Sequence, residues 1–214
     1  KMNFDEFSLN VSKIKNIPLP GQVSQFKMAP PFRKELLEKS KEAINFAKKA
    51  GVLALFYPDR NYEASLVLIL RKTYEGVHSG QVGFPGGKIE KHDTSLEMAA
   101  LRETNEEIGV PINNIKVLTA LTDLYIPPSN FYVQPYLGIS SYNLSFYKDD
   151  LEVEEIIEVP IKHFFNDDLV ISKKVSTSYN VEIEVPAFYL NEYIVWGATA
   201  MILSEIKDLL KQLM

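Results

Sequence analysis

Apolar residues recur along the chain with two periods, and these divide it into predicted helices and strands. Residues 33–50 and 197–213 carry apolar side chains at three- and four-residue spacing, which predicts an amphipathic helix in each. An acidic stretch at 152–160 leads into a strand. Short apolar or alternating runs predict further strands at 52–57, 64–70, 115–123, 131–139, 170–175, 181–189 and 193–196.

The order of these elements predicts the fold class. Helices and strands alternate without the regular rhythm of strand–helix–strand units, so we expect an α/β (α+β) fold with a mixed sheet flanked by helices. Residues 1–32 contain four prolines and predict an irregular N-terminal arm on the domain surface. Residues 33–214 are then expected to form a single domain.

A third predicted helix, at 94–109, carries a cluster of acidic residues. On a helix Glu103, Glu106 and Glu107 project from one side within about a turn. Like charges so placed destabilise a bare helix, so the pattern favours divalent cations bound through hard oxygen ligands. Arg102 can pair with a neighbouring carboxylate and hold it in place.

The segments around this helix also predict its geometry. Thr94 and Glu97 have the spacing of a capping box at its start, and Gly109 is a natural left-handed stop at its end. Upstream, Gly86 and Gly87 can adopt positive φ, which lets a backbone carbonyl turn towards the same cations. The helix is therefore expected to border a metal site.

Composition narrows the classes of function. The 214 residues are 46% hydrophobic and 24% charged, which suits one globular domain. The absence of cysteine excludes disulfides and thiol catalysis, and a net charge of -5 argues against nucleic acid as a partner. No apolar run of about eighteen residues and no secretory signal are present, so we expect no membrane partner and a cytoplasmic protein.

The chain carries the sequences Gly86-Gly87-Lys88-Ile89-Glu90 and Arg102-Glu103-Thr104-Asn105-Glu106-Glu107-Ile108-Gly109-Val110, with Asp93 between them. This pattern resembles the Nudix box, the signature of the Nudix hydrolase superfamily. The usual box has glutamate at the place of Asp93 and one residue fewer before the arginine. With Gly80-Gln81-Val82-Gly83-Phe84-Pro85 upstream, the spacing resembles the coenzyme A pyrophosphatase branch. The branch pattern has arginine where this chain has Gly76.

The resemblance implies a Nudix-type α/β/α sandwich in which the box forms a loop–helix–loop motif. It also implies metal-dependent hydrolysis, with Mg²⁺ or Mn²⁺, of the diphosphate linkage in a nucleoside diphosphate derivative. For the branch, that substrate is coenzyme A or acyl-CoA, cleaved to 3′,5′-ADP and (acyl-)4′-phosphopantetheine. Dimers occur in the superfamily, so a homodimer is a candidate assembly.

The resemblance further implies roles for individual residues. Glu106 or Glu155 is the candidate base, and Arg102 and Glu103 complete the predicted catalytic set. Glu152, near Glu155, matches another acidic position of the branch. The predicted metal ligands are Glu103, Glu106, Glu107 and the carbonyl of Gly87, and the predicted substrate-binding residues are Arg71, His78 and Gln81.

Three alternatives stay open at this stage. The chain can be a Nudix hydrolase for another substrate, such as ADP-ribose, NADH or a damaged nucleoside triphosphate. It can also be a Nudix module that senses a nucleotide without turnover, although the intact acidic set favours an enzyme. At the level of single residues, Arg71 can serve an ordinary salt bridge, and Glu152 and Glu155 can belong to an exposed acidic loop.

Overall fold

A computed structural model of the chain describes residues 2–73, 80–176 and 182–214. Its helices are α1 (Phe4–Val11), α2 (Gln22–Gln25), α3 (Arg33–Lys39), α4 (Leu96–Ile108), α5 (Ile161–Phe165) and α6 (Gly197–Leu213). Its strands are β1 (Lys48–Pro58), β2 (Ala64–Arg71), β3 (Val82–Gly83), β4 (Gly86–Lys88), β5 (Lys116–Ala120), β6 (Leu124–Ile126), β7 (Phe131–Ile139), β8 (Val153–Pro160), β9 (Val170–Ser176), β10 (Glu182–Leu190) and β11 (Tyr193–Trp196). Among these residues, no helix is long and apolar enough to cross a bilayer.

Within the described residues, eight strands form one sheet around β1. Strand β1 pairs in parallel with β7 and antiparallel with β2 and β4. Strand β2 also pairs antiparallel with β8 and β3, and β7 with β5 and β6. Strands β9, β10 and β11 form a separate antiparallel sheet. The prediction of a mixed sheet is therefore confirmed.

The two faces of the large sheet pack on different helices. Successive residues of a strand point to opposite faces, so β1 and β2 contribute to two hydrophobic clusters. One cluster joins Leu53, Leu55, Val67 and Ile69 to Leu101 and Ile108 of α4. The other joins Ala54, Phe56, Leu66 and Leu68 to Ile202 and Ile206 of α6. The result is the α/β/α sandwich that the resemblance implies.

A glycine in β1 sets the position of α4. A Cβ on Gly51 would lie 2.0 Å from the backbone oxygen of Leu96, so only glycine lets the first turn of the helix lie directly on the strand. Strand β4 pairs with the same part of β1, at Gly51↔Gly87. The helix and the glycine pair Gly86-Gly87 are therefore held side by side by one short stretch of β1.

The N-terminal segment differs from the predicted irregular surface arm. Helix α1 buries Phe4, Phe7 and Val11, and the ring of Phe7 lies 5.1 Å from that of Phe56 in the main core. The buried carboxylate of Glu205 on α6 accepts hydrogen bonds from the backbone N–H of Gly21 at 3.1 Å and of Thr122 at 3.2 Å. The segment is therefore helical and part of the core, and the prediction is corrected.

The predicted helix at 33–50 is also corrected. Helix α3 ends at Lys39, and residues from Lys48 onwards belong to β1. The register Lys48↔Phe131 through Phe56↔Ile139 shows why, because the whole of β7 pairs with this part of β1. Long-range pairing thus overrides the local helical spacing of the apolar residues.

Candidate metal and substrate site

Helix α4 begins one residue later than its sequence predicts. The cap is Ser95, whose side-chain oxygen accepts a hydrogen bond from the N–H of Met98 at 3.1 Å, and not Thr94. The helix ends at Gly109 in the left-handed conformation, with φ 74°, as predicted. Leu101, Thr104 and Ile108 are buried against the sheet, so the acidic residues lie towards β4.

Glu107 is the most deeply buried acidic residue of this region, with 1% of its surface exposed. One carboxylate oxygen accepts a hydrogen bond from Nη1 of Arg71 at 2.9 Å, and the other from the N–H of Gly86 at 2.8 Å. Burial raises the pKa of Glu107 to about 7, although Arg71 and the Gly86 N–H oppose the rise and Glu103 adds to it. A nearby cation would keep this carboxylate ionised at neutral pH.

Glu103 lies one turn earlier on α4 and close to the backbone of β4. A Cβ on Gly87 would lie 2.5 Å from the carboxylate carbon of Glu103, so glycine at this place is required for the close approach. Burial raises the pKa of Glu103, and a hydrogen bond of 2.9 Å from Nη1 of Arg102 opposes the rise. The two carboxylates thus lie along the Gly86-Gly87 backbone.

Arg102 links the loop before α4 to the helix through hydrogen bonds. Its Nε and Nη2 donate to the two carboxylate oxygens of Asp93 at 3.0 and 2.9 Å, and Nη2 also donates to the carbonyl of Lys88 at 3.2 Å. Its Nη1 donates to Glu106 at 2.9 Å as well as to Glu103. The guanidinium lowers the pKa of Asp93 to about 2, so this pair stays ionised over the physiological range. Arg102 therefore positions the acidic residues.

A third carboxylate comes from another part of the chain. Oxygens of Glu103, Glu107 and Glu152 lie within 4.8 Å of one another, and we call these three residues the carboxylate cluster. Glu152 precedes β8, and its carbonyl accepts a hydrogen bond from the N–H of Lys72 at 2.9 Å. Glu106 is not in this cluster; its side chain is 56% exposed and pairs with Arg102.

Glu155 lies on the other face of the sheet. Strand register places it opposite Leu70, which packs in the cluster that faces α6, whereas its neighbour Ile156 packs in the cluster that faces α4. The hydroxyl of Tyr193 donates a hydrogen bond to the Glu155 carboxylate. Glu152 therefore lies beside Glu103 and Glu107, whereas Glu155 does not.

The donor set of the carboxylate cluster fits a hard divalent cation. All three side chains offer carboxylate oxygens, the ligands preferred by Mg²⁺ and Mn²⁺. Three carboxylates in contact repel one another, and the guanidinium of Arg71 pairs only with Glu107 among them. A dication between them would supply the missing positive charge, so the residues fit the metal that the sequence predicts.

A cavity of about 580 Å³ opens beside the cluster. Arg71, Gly86 and Gly87 border it, and these are the groups that contact Glu107 and Glu103. Gln81 also lines it, whereas His78 and Gly76 lie outside the described residues. Its other walls include apolar side chains from the segment before β1 and from β7, β11 and α6, namely Phe32, Leu36, Phe131, Trp196 and Met201.

The sequence did not predict the contribution of residues 30–36 to this cavity. Pro30, Phe32, Arg33 and Leu36 all line it, although they precede the acidic helix by about sixty residues of chain. The only local signal was the pair Pro30-Pro31, which marked a break before a helix. Arg71 is placed at the cavity, but its Nη1 is taken up by Glu107 and its Nη2 donates to the carbonyl of Gly86 at 2.9 Å.

Comparison with known proteins gives the relatives of this chain. A family model described as NUDIX domain matches residues 47–166. The protein named "Uncharacterized Nudix hydrolase NudL" from Yersinia pestis (strain Pestoides F) is 35% identical over 147 residues, which cover 67% of this chain and 71% of that protein. A protein of the same name from Yersinia pseudotuberculosis serotype O:1b has the same identity and coverage.

Solved structures show the same fold at low sequence identity. The Nudix hydrolase RenU from M. smegmatis aligns with a TM-score of 0.54 and 16% identity, covering 78% of this chain and 88% of its own. The MutT protein from Methanosarcina mazei Go1 aligns with a TM-score of 0.50 and 14% identity, covering 78% and 97%. These likenesses bear on the fold alone.

Proposed function

The chain belongs to the Nudix family and is a Nudix hydrolase, and from this premise we propose that it hydrolyses the diphosphate linkage of coenzyme A or acyl-CoA. The products are 3′,5′-ADP and (acyl-)4′-phosphopantetheine. The observation that carries the reaction type is the carboxylate cluster beside a cavity of about 580 Å³. The branch-like segment Gly80-Gln81-Val82-Gly83-Phe84-Pro85-Gly86-Gly87 carries the choice of substrate, and Gln81, Val82 and Phe84 line that cavity.

Glu103, Glu107 and Glu152 would hold Mg²⁺ or Mn²⁺, together with the carbonyl of Gly87. Such an ion neutralises the diphosphate and lowers the pKa of water. The chain's own residues orient this set. Arg71 and the Gly86 N–H fix Glu107, and Arg102 fixes Glu103, so the carboxylates need little rearrangement when substrate binds.

In the proposed reaction the oxygen of a water molecule forms a bond to one phosphorus of the diphosphate. The bond from that phosphorus to the bridging oxygen breaks, and the second phosphate leaves with the electron pair. Glu106 takes the proton of the water, since its side chain is 56% exposed and lies one turn from Glu103. Glu155 is not assigned this role, because its carboxylate lies on the face of the sheet that α6 covers.

The test is hydrolysis of a panel of substrates with Mg²⁺ or Mn²⁺, followed by the masses of the products. The panel contains coenzyme A, acetyl-CoA, ADP-ribose, NADH and oxidised nucleoside triphosphates. Selective release of 4′-phosphopantetheine supports the proposal, and preference for another member refutes the substrate while keeping the chemistry. Glu103→Gln should lose at least about 100-fold in kcat, because it removes both a ligand and a charge.

Glu155→Gln provides a matched control for that variant. It makes the same chemical change on the opposite face of the sheet and should keep activity near that of the unaltered chain. Tight binding of one panel member without turnover would instead favour a nucleotide sensor.

A further inference from the structure

Arg33, in the first turn of α3, lies in an unusual environment for a guanidinium. Its Nη2 donates to the carbonyl of Tyr125 at 2.8 Å, and its guanidinium carbon lies 6.0 Å from the centre of the Phe26 ring. Its Nε is shielded from solvent and has no hydrogen-bond partner among the described residues. Burial lowers the pKa of Arg33, and no carboxylate offsets that effect.

Two other arginines at the site have the carboxylate partner that Arg33 lacks. Arg71 is paired with Glu107 and Arg102 with Asp93, each at 2.9 Å. Within the described ranges, no carboxylate lies within ion-pair distance of Arg33. A partly desolvated cation without a counter-charge is costly, so the arrangement is explained best if a ligand brings the negative charge.

The charged side chains that line the cavity also favour a negatively charged ligand. Among the described lining residues the charged side chains are Arg33, Arg71 and Lys88, and none is acidic, although the whole chain carries a net charge of -5. Arg71 already forms an ion pair with Glu107. Arg33 therefore presents a positive charge without a carboxylate partner to the same cavity that Gly87 and Lys88 border.

We propose that Arg33 binds a phosphomonoester of the substrate that is separate from the diphosphate cleaved at the carboxylate cluster. Nε is shielded and Nη2 already donates to the carbonyl of Tyr125, so Nη1, which has no hydrogen-bond partner among the described residues, is the nitrogen that donates to the phosphate. Arg33 is then a specificity residue that selects nucleotide diphosphates carrying an additional phosphate. This inference rests on the proposed function and deepens it, since coenzyme A carries such a group on its ribose.

The kinetic test compares substrates that differ only in this phosphate. Coenzyme A is paired with dephospho-coenzyme A, and NADPH with NADH. In the unaltered chain the phosphorylated member should have the higher kcat/KM by roughly 10- to 100-fold, the range of a charge-assisted contact. Arg33→Gln should remove that preference through KM, with a much larger loss for the phosphorylated member than for the unphosphorylated one. Arg33→Lys should restore part of the preference, because the charge remains but the guanidinium geometry is lost.

Lys34→Gln is the matched control, because it removes one positive charge from an exposed neighbour that does not line the cavity. It should keep the preference intact. An equal loss for both members of a pair in Arg33→Gln would show that Arg33 only anchors residue 125, and would overturn the proposal. Thermal unfolding of each variant identifies a loss of folding.

A binding test separates this proposal from the proposed reaction. Trp196 is the single tryptophan and lines the cavity, so its fluorescence reports occupancy without turnover. Adenosine 3′,5′-bisphosphate and its 2′,5′ isomer are titrated against AMP. At least one bisphosphate should bind roughly 10-fold or more tighter than AMP, and Arg33→Gln should abolish the difference. Equal affinity for all three, or a difference that survives in Arg33→Gln, overturns the role of Arg33 whatever the hydrolysis assay shows.

Discussion

Burial of Glu107 predicts a specific pH dependence of stability in the chain freed of divalent ions. The folded chain holds the pKa of this carboxyl at about 7, whereas a glutamate ordinarily has 4.5. The folded state therefore binds the proton more tightly than the unfolded state. Stability contributed by this group is complete below pH 4.5 and falls as the pH rises towards 7. The substitution Glu107→Gln should remove this dependence, because glutamine does not ionise.

The size of the effect follows from the two pKa values. The difference between 7 and 4.5, at about 1.4 kcal/mol for each pKa unit, gives roughly 3 to 4 kcal/mol. The stabilising contacts from Arg71 and the Gly86 N–H are already contained in the value of 7. Because Glu107 is 1% exposed, no large discount for solvent screening applies. The loss is sizeable against a usual total stability of about 5–15 kcal/mol.

The assay is urea unfolding at pH 5 and pH 8 with a chelator present. The drop in unfolding free energy between the two pH values should be smaller in Glu107→Gln than in the unaltered chain by about 2 to 3 kcal/mol, because part of the loss has already occurred at pH 5. Glu106→Gln, the same change at an exposed neighbour, should keep the original drop. Mg²⁺ should reduce the drop in the unaltered chain by keeping Glu107 ionised. An equal drop in the unaltered chain and in Glu107→Gln would refute the reasoning.

Three further substitutions test the arrangement of the site. Gly87→Ala places a Cβ 2.5 Å from the carboxylate carbon of Glu103, so Mn²⁺ affinity measured by calorimetry should fall at least about 10-fold while circular dichroism is unchanged. Glu152→Gln should weaken Mn²⁺ binding by about 10- to 100-fold, whereas Glu155→Gln should not; the reverse order would contradict the carboxylate cluster. Asp93→Asn should lower kcat about 10-fold. It should also remove the loss of unfolding free energy that occurs as the pH falls from 3.8 to about 2, because the guanidinium partner lowers the pKa of this carboxyl in the folded state.

Elements with local signals were predicted well. The bounds predicted for β7, β11 and α6 agree with the structure: β7 alternates, β11 is a short run of apolar and aromatic residues, and α6 carries an apolar stripe with a 3.6-residue period. The helix predicted at 33–50 was wrong, because the apolar residues fit a helix but the end of the segment pairs with β7. The irregular arm predicted at the N-terminus was wrong for a related reason. The burial of Phe4 and Phe7 depends on core residues that are distant in sequence.

The site shows the same division between local and distant information. Glu103 and Glu107 were predicted together because one helical turn brings them to one side. Glu152 and Glu155 could not be ranked in this way, since two residues three apart near a strand point to faces that only the register with β2 defines. No sequence pattern indicated Arg33, because the role proposed for it depends on the absence of a carboxylate among its neighbours in space.

The proposed chemistry and the proposed specificity are assigned to different parts of this chain. The family match spans residues 47–166 and contains every member of the carboxylate cluster, as well as Arg71 and Arg102. The cavity, however, also draws walls from Phe32 and Arg33 before that region and from Trp196 and Met201 after it. These two outer segments are joined by the Glu205 carboxylate, which accepts a hydrogen bond from Gly21.

On the proposed role of Arg33, the substrate preference of this chain can change through the outer segments without a change in the carboxylate cluster. A change on α6 near Glu205 would be transmitted to the N-terminal segment that carries Arg33, without any change at the metal ligands. On the function proposed above, the box residues cleave the diphosphate, and the contact between the segment before β1 and α6 contributes to which diphosphate enters the cavity. The proposed selectivity therefore depends on tertiary packing and cannot be inferred from the catalytic motif alone.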